Sequence, residues 1–461
     1  MITKNNFPKE NNVLFNRGKF GLRITEKYDK VKCSEIYVQK TDAFEIGLEK
    51  NSIKDCNKSE SCGFSVRVFD KRGSLGFAYA NDISSKIIEK TINNAVKMMK
   101  VGPPNDEFKD LPFPKKSNSK VTGIYDKNIK DLEFETPFDL IKDMIKISSD
   151  DSQVVTQSGD FSSLYTYYYV FNSNGIEISS KETAASLTSS IVVKNNGKNE
   201  TGNGFHWQIE RKYKDLDAIK VVNKTLQMAK MNLNRIKIET MNVPLILTPK
   251  GVISLILNPI ASAINADTFQ YNRSFLVGKL NKKIGSDLLN IEDNGLINGA
   301  VGSSEFDAEG VPCQNKKIFE NGVFLSLLHN SFTAGKDNVE STGNAQRNSF
   351  SSTPNIGSTN LYFNPGDYKT QELFEDIKIG ILLDYTGDSP NLATGDFSGL
   401  ILNGNIIRNG EIQESLNETM VGINILDLFN RIEKVSNKLE VYGSKNAPYV
   451  KISNVQISGS K

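Results

Sequence analysis

Residues 303–347 read SSEFDAEGVPCQNKKIFENGVFLSLLHNSFTAGKDNVESTGNAQR and join three features: an acidic-glycine turn, a hairpin and a polar glycine loop. The turn holds Asp307, Glu309, Gly310 and Pro312, and the loop runs from Ser341 to Arg347. In the hairpin, Asn321-Gly322 lies between 317–319 and 323–328. Asn-Gly accepts the positive φ angles of a type I′ turn, and its apolar flanks suit paired strands. His329, one of two histidines in the chain, follows the second strand directly.

Downstream of this stretch, short apolar runs are punctuated by turn residues. Asn-Gly pairs starting at 294, 298, 321, 403 and 409 predict antiparallel sheets to the end. A helix over 425–435 precedes final strands at 441–442 and 449–455. Upstream, 243–247 reads as a buried strand and 250–267 as a helix that Pro259 kinks. The first half alternates strands with helices. A helix is expected within 13–30, strands at 35–40, 44–48, 64–69 and 73–79, and a helix over 83–99 with apolar residues at i, i+4 spacing. Gly102-Pro103-Pro104 ends that helix, and a polar, proline-rich connector follows to Ser119. Thr136 as N-cap and Pro137 at the first helical position predict another helix. Strands at 164–171, 176–181, 185–193 and 204–209, and a helix over 215–232, complete this half. The order predicts an α+β protein. An N-terminal α/β domain of antiparallel strands and helices (1–115, with its remainder at 116–240) leads into a larger β-rich C-terminal domain, 241–461.

With 461 residues the chain exceeds one ordinary core. Its 56 basic and 54 acidic residues leave a net charge of +2. That balance argues against a nucleic-acid or anionic-membrane surface, which shows a basic excess on one face. No segment approaches the roughly 20 apolar residues that span a bilayer. The opening MITKNNFPKENN has no apolar signal region, so the sequon Asn199-Glu200-Thr201 carries no weight. Four cysteines make no disulfide scaffold in a chain of this length, and a cytoplasmic protein with reduced thiols is expected.

A catalytic zinc wants about three protein ligands and an open position. The chain offers His206, His329, Cys33, Cys56, Cys62 and Cys313, with no second histidine or cysteine pair beside either histidine. Cys56 and Cys62 are spaced more widely than a zinc finger and read more simply as two thiols in a flexible loop. His206, beside Trp207 in an alternating strand, reads as a packed or surface residue. His329 either hydrogen-bonds across a cleft or caps the short run 331–334. No G-x-S-x-G elbow is present, Ser303 and Ser304 have no histidine nearby in sequence, and Cys313 has no base. The run LDYTGD at 383–388 is close to an aspartic-protease loop, but Tyr385 breaks it. Phosphate-binding glycine motifs are absent. The loop of Ser341, Asn344 and Arg347 either binds a carboxylate or peptide backbone, or is an ordered connection held by its own side chains.

The ordered set of motifs resembles the TldD/PmbA family, also called the modulator-of-DNA-gyrase family, in its PmbA (TldE) branch. The residues that carry the likeness are Arg273-Ser274-Phe275-Leu276, Asp307 to Pro312, Glu320-Asn321-Gly322, Leu328-His329-Asn330 and Ser341 to Asn344. Thr394-Gly395-Asp396-Phe397-Ser398, Asn409-Gly410-Glu411-Ile412, the run from Pro448 to Gly459, and the hairpin from Gly63 to Gly76 extend it over nearly the whole chain. The resemblance implies a cytoplasmic peptide-processing complex. In it a TldD-type subunit carries an HExxxH helix that, with a C-terminal cysteine, holds the metal, and a PmbA-type subunit lacks that site. Here the matching positions are Asn258, Pro259 and Ala263, and no cysteine follows Cys313. An amide, a ring and a methyl replace two ligands and the general base.

The expectation is therefore a non-catalytic subunit with no metal or catalytic residue of its own, zinc being held by the TldD-type partner. It would form a heterodimer, with a homodimer as a second option, and would bind an extended peptide by strand addition. Contacts to peptide or partner are expected from Asp307, Glu309, Gly310, His329, Ser341, Asn344, Arg347, Thr394 and Asp396. Two alternatives stand beside it. One is a hydrolase using Asp307, Glu309 and His329 as acid–base groups; the other is a protein-binding regulator of DNA gyrase.

Overall fold

The computed structural model describes residues 12–117, 120–195 and 200–461. The readings of the first eleven residues, of Ser119 and of Asn199 lie outside the described residues.

The N-terminal half is built on one antiparallel sheet. Its strands are β1 (Cys33–Glu49), β2 (Ser52–Phe69), β3 (Leu75–Ala80), β4 (Val154–Asn172), β5 (Glu177–Lys194) and β6 (Thr201–Glu210). They lie in the order β3-β2-β1-β4-β5-β6, so β1 and β4 join segments from either side of the proline-rich connector. Side chains alternate between faces along each strand. On β1 the even positions Ile36, Val38, Phe44 and Ile46 are buried in the hydrophobic core. The helices α1 (Asn12–Thr25) and α2 (Ser85–Val101) cover one half of that face, and helices Glu135–Ser149 and Ala218–Met231 cover the other. α2 lies so close to β3 that a Cβ on Gly76 would stand 1.9 Å from the Ala95 carbonyl. The odd positions Glu35, Tyr37 and Gln39 face the other way, toward the C-terminal half.

Several elements differ from expectation. The runs 35–40 and 44–48 form one strand because Thr41 pairs with Ser61 on one side and Thr166 on the other. Likewise 176–181 and 185–193 merge into β5, paired with β4 throughout. The polar residues around Cys56 and Cys62 are not a flexible loop; they belong to β2. Six residues of strand separate the two thiols by about 20 Å at ~3.3 Å per residue, far beyond disulfide reach. Thr136 is not an N-cap, since its helix begins at Glu135, and Pro137 sits in the first turn where no N–H is needed. The last helix stops at Asn430, and Ile432–Val435 forms a strand against Val450–Ser458. Asn403-Gly404 lies inside the strand Asp396–Arg408 and makes no turn.

The C-terminal half contains a closed barrel. Ile379–Thr386, β7 (Met241–Leu247), Val450–Ser458, Met420–Asn424 and Asp396–Arg408 pair in that order, and the last pairs back with the first. A second sheet runs through Val323–Phe324, Asn315–Glu320, Ile291–Asn294, Leu361–Phe363, Lys445–Ala447 and Glu440–Tyr442. The hairpin turn has φ of 50° at Asn321 and 75° at Gly322, as a type I′ turn requires. Val323 and Phe324 pair in its second arm and the Leu325 N–H reaches the Ile318 carbonyl at 2.9 Å; Leu328 instead donates its N–H to the Ile264 carbonyl at 2.9 Å.

The expected helix over 250–267 is broken into pieces. Thr248 caps Pro249–Val252, residues Ile253–Leu257 widen into a π-helical turn, and Asn258–Ala263 returns to α geometry. Pro259 has no N–H to donate four residues back, and the backbone relaxes by a π-turn whose Asn258 N–H reaches the Ile253 carbonyl. Val252, Leu255, Ile256, Leu257, Ile260 and Ala263 are all buried, placing this helix inside the C-terminal core.

Candidate functional site

Strand parity brings charge to the junction of the two halves. Glu35 on β1 and Arg67 on β2 are direct cross-strand partners on the face away from the helices. The Arg67 guanidinium grips both Glu35 carboxylate oxygens, at 2.9 and 2.5 Å, and also donates to Glu309 at 2.9 Å. Arg347 reaches back from the C-terminal half to Glu35 and lies 4.6 Å over the Tyr37 ring. The second Glu309 oxygen accepts the Ser331 N–H at 2.8 Å. Two guanidiniums and two carboxylates thus close a buried, charge-balanced network. Burial alone would raise the Glu35 carboxyl, but the paired Arg67 and Arg347 hold it below the ordinary range.

Asp307 organises the acidic-glycine turn. One oxygen accepts the N–H groups of Glu309 and Val311, both at 2.9 Å, and the other accepts that of Ala345 at 3.0 Å. Gly310 takes φ of 83° within this turn. Burial and the negative charge of Glu309 raise the Asp307 carboxyl, against the pull of the three N–H donors. The adjoining loop is fixed by its own side chains. Ser341 and Thr342 donate to the His329 carbonyl, and Asn344 donates to Asp293 and to the Gly357 carbonyl, both at 2.9 Å. Gly343, at φ of 69°, leaves no room for a Cβ, which would meet the Pro312 carbonyl at 2.3 Å. Of the two readings of this loop, the ordered connection describes Ser341, Asn344 and most of Arg347. The carboxylate that the Arg347 fork takes is the chain's own Glu35.

His329 is buried, with Nδ1 3.2 Å from the Thr333 hydroxyl, and burial lowers its pKa. It is not a helix cap: Asn330 caps Ser331–Asp337 by accepting the Thr333 N–H. Among the described residues no hydrogen bond joins His329 to Asp307 or Glu309. The three do not form an acid–base triad; each carboxylate is already committed to backbone N–H groups or arginine. Ser303 accepts from Asn360 and bonds no base among the described residues, and burial drives the Cys313 thiol far up. Thr394 and Asp396 lie apart from this cluster, in an exposed turn tied to Asn424.

A cavity of about 370 Å³ opens between the sheet and the stretch 301–348. Asp307, Asn344 and Arg347 line it from one side, and Gln39, Tyr168 and Glu182 from the other. Three of its buried polar atoms find no partner among the described residues: Gln39 Oε1, Arg347 Nε and Thr359 Oγ1. Glu35, Arg67, Gln39 and Glu182 were not foreseen from the sequence. The available signal was a charged or amide residue at every second position among buried apolar ones, as in Val66-Arg67-Val68, which marks a sheet face meeting something polar.

The positions matched to the metal helix carry no zinc donors of the usual kind. The Asn258 amide oxygen accepts from the Lys445 ammonium, while Pro259 and Ala263 are buried and apolar. Among the described residues no three His, Cys, Asp or Glu side chains group to hold a metal ion. A cation against Asn258 is the opposite of what a divalent metal would need there.

Sequence comparison places these observations in a family. Domain profiles of the PmbA/TldA metallopeptidases match three consecutive regions: domain 1 at 34–99, the central domain at 127–233 and the C-terminal domain at 240–459. A metalloprotease of Methanocaldococcus jannaschii is 28% identical over 416 residues, covering 86% of this chain and 88% of its own. A metalloprotease PmbA homologue of Buchnera aphidicola is 26% identical, covering 92% and 93%. The fold matches that of TldE from Thermococcus kodakarensis with a TM-score of 0.86 at 23% identity, covering 97% and 100%. A candidate modulator of DNA gyrase from Bacteroides thetaiotaomicron gives 0.86 at 22% identity over the whole of both chains. The chain belongs to the PmbA/TldD metallopeptidase family.

Proposed function

We propose that this chain is the PmbA/TldE-type, non-catalytic subunit of a cytoplasmic two-subunit metallopeptidase. Its role is to complete the peptide-binding chamber of a zinc-bearing TldD-type subunit. The observation that carries the reading is the helix Asn258–Ala263, where an amide held by Lys445, a proline ring and a buried methyl occupy the positions a metal site would need. Among the described residues no helix is long and apolar enough to cross a membrane, which accords with a role in free solution. The cavity beneath residues 301–348 is the surface offered to peptide. Main-chain amides recur in every peptide, so recognition through them tolerates sequence.

The test is reconstitution. The chain alone is expected to contain no stoichiometric zinc and to cleave no unfolded peptide. Mixed with a TldD-type subunit, it is expected to co-elute as a heterodimer with chelator-sensitive peptidase activity. Stoichiometric zinc and chelator-sensitive cleavage by the isolated chain would overturn the assignment.

A further inference from the structure

A second cavity, of about 320 Å³, lies at another part of the junction, between β6 and helix Ala218–Met231 on one side and the barrel on the other. Its centre is Tyr442. The Lys250 ammonium lies 5.6 Å from the centre of that ring and the Lys224 ammonium 5.9 Å. His206 meets the same ring edge-on at 6.1 Å. Two of these groups lack a proper partner. Among the described residues Lys250 donates only to the Met228 thioether, at 3.5 Å, and sulfur is a weak acceptor. His206 is 4% exposed, and its Nδ1 has no partner among the described residues.

The carboxylates around the cavity are otherwise engaged. Glu440 accepts from Lys224 at 3.5 Å and from the Tyr442 hydroxyl at 2.9 Å, and Asp384 accepts from Thr248 at 2.7 Å. Asp384 and Glu440 act on the Lys250 ammonium from a distance, but among the described residues no carboxylate is in ion-pair contact with it, and an anion entering the cavity would relieve the cost of its desolvation. Met228, Met231, Leu382 and Ile412 supply an apolar floor beside the two donors.

The geometry points to a binding site for a small organic carboxylate with an apolar body, its carboxylate on Lys250 and the Nδ1–H of a neutral His206. Lys250 precedes Asn258 by eight residues, or about 12 Å of helix. The site is therefore separate from the vacated metal positions and does not depend on the subunit reading. Burial lowers the Lys250 pKa, in keeping with an ammonium that awaits a counter-ion.

Calorimetric titration of the full chain tests the assignment, with N-acetylleucine as probe and N-acetylleucinamide as its uncharged control. The acid is expected to bind at least tenfold more tightly than the amide, and Lys250→Met is expected to remove that preference while the thermal midpoint stays within a few degrees. If Lys250→Met fails to fold, Lys250→Arg is expected to retain the preference and His206→Phe to weaken it. Equal affinity for acid and amide, an unchanged preference in a folded Lys250→Met, or no binding of the acid at millimolar concentration overturns the proposal. Inorganic phosphate binding more tightly than N-acetylleucine overturns the choice of carboxylate.

Discussion

His206 is packed where its neutral ring is tolerated and its cation is not. Burial, together with the charges of Lys250, Lys224 and Lys220, lowers its pKa to about 3, against an ordinary value of ~6.5. A depressed folded pKa means the unfolded chain takes up the proton first. The contribution of neutral His206 is thus full above ~6.5 and is lost as pH falls toward about 3. Urea unfolding of His206→Gln should show a shallower loss of stability in that window. The difference from wild type should approach, at most, about 1.4 kcal/mol per pH unit; parallel profiles would show that the ring is hydrated in solution. A second residue-scale prediction concerns Glu309. Glu309→Gln leaves Arg67 buried with one ionic partner instead of two, and breaking such a pair costs about 3–5 kcal/mol. Chemical denaturation should register a loss of that order, whereas Asp396→Asn in the exposed turn should fall within about 0.5 kcal/mol of wild type.

At the scale of elements, the broken helix over 249–263 shows which parts of the sequence were legible. Pro259 announced an interruption, but not its form. The choice of a π-turn over a kink depends on the barrel and second sheet that bury both sides of the helix, and these lie up to two hundred residues away in sequence. Lys445 could not have been paired with Asn258 from the chain alone for the same reason. This pairing yields a prediction. Replacing Asn258 and Ala263 by histidine restores two donors, but the Lys445 ammonium still stands at the first position. Zinc affinity of Asn258→His/Ala263→His should rise at least tenfold further when Lys445→Met is added, measured by competition with a chromogenic chelator. Equal affinity in the two variants would mean that Lys445 swings clear of the site. The hairpin at Asn321-Gly322 was readable because its turn chemistry is local. The merging of 35–40 with 44–48 was not, because Thr41 is held in a strand by Ser61 and Thr166, not by its own neighbours.

At the scale of the whole molecule, the alternation of apolar and polar residues was enough to predict antiparallel sheets and an α+β fold. It did not show that one face of the N-terminal sheet is spent on helices and the other on the C-terminal half. That division places Glu35 and Arg67 under Glu309 and Arg347, and it makes the stretch 303–347 part of a junction fixed by charge. Asp307, Glu309 and Arg347 were expected as outward contacts, yet their strongest bonds hold the chain to itself. The junction should therefore open as a unit when its central cation is removed. In Arg67→Met, Glu309 loses the one guanidinium it bonds among the described residues, so the turn at 307–311 loses its tie to β2, while Arg347 keeps its bonds to Glu35 and to Ser65. Hydrogen exchange should accelerate at the amide of Ser331, whose acceptor is Glu309, and at those of Glu309, Val311 and Ala345, whose acceptor is Asp307 in the same turn. Amides of the barrel strands Met241–Leu247 and Val450–Ser458 should keep their wild-type protection, since their bonds run within a separate core. Faster exchange spread evenly over both halves would instead mean that the network supports global stability and does not act as a local latch.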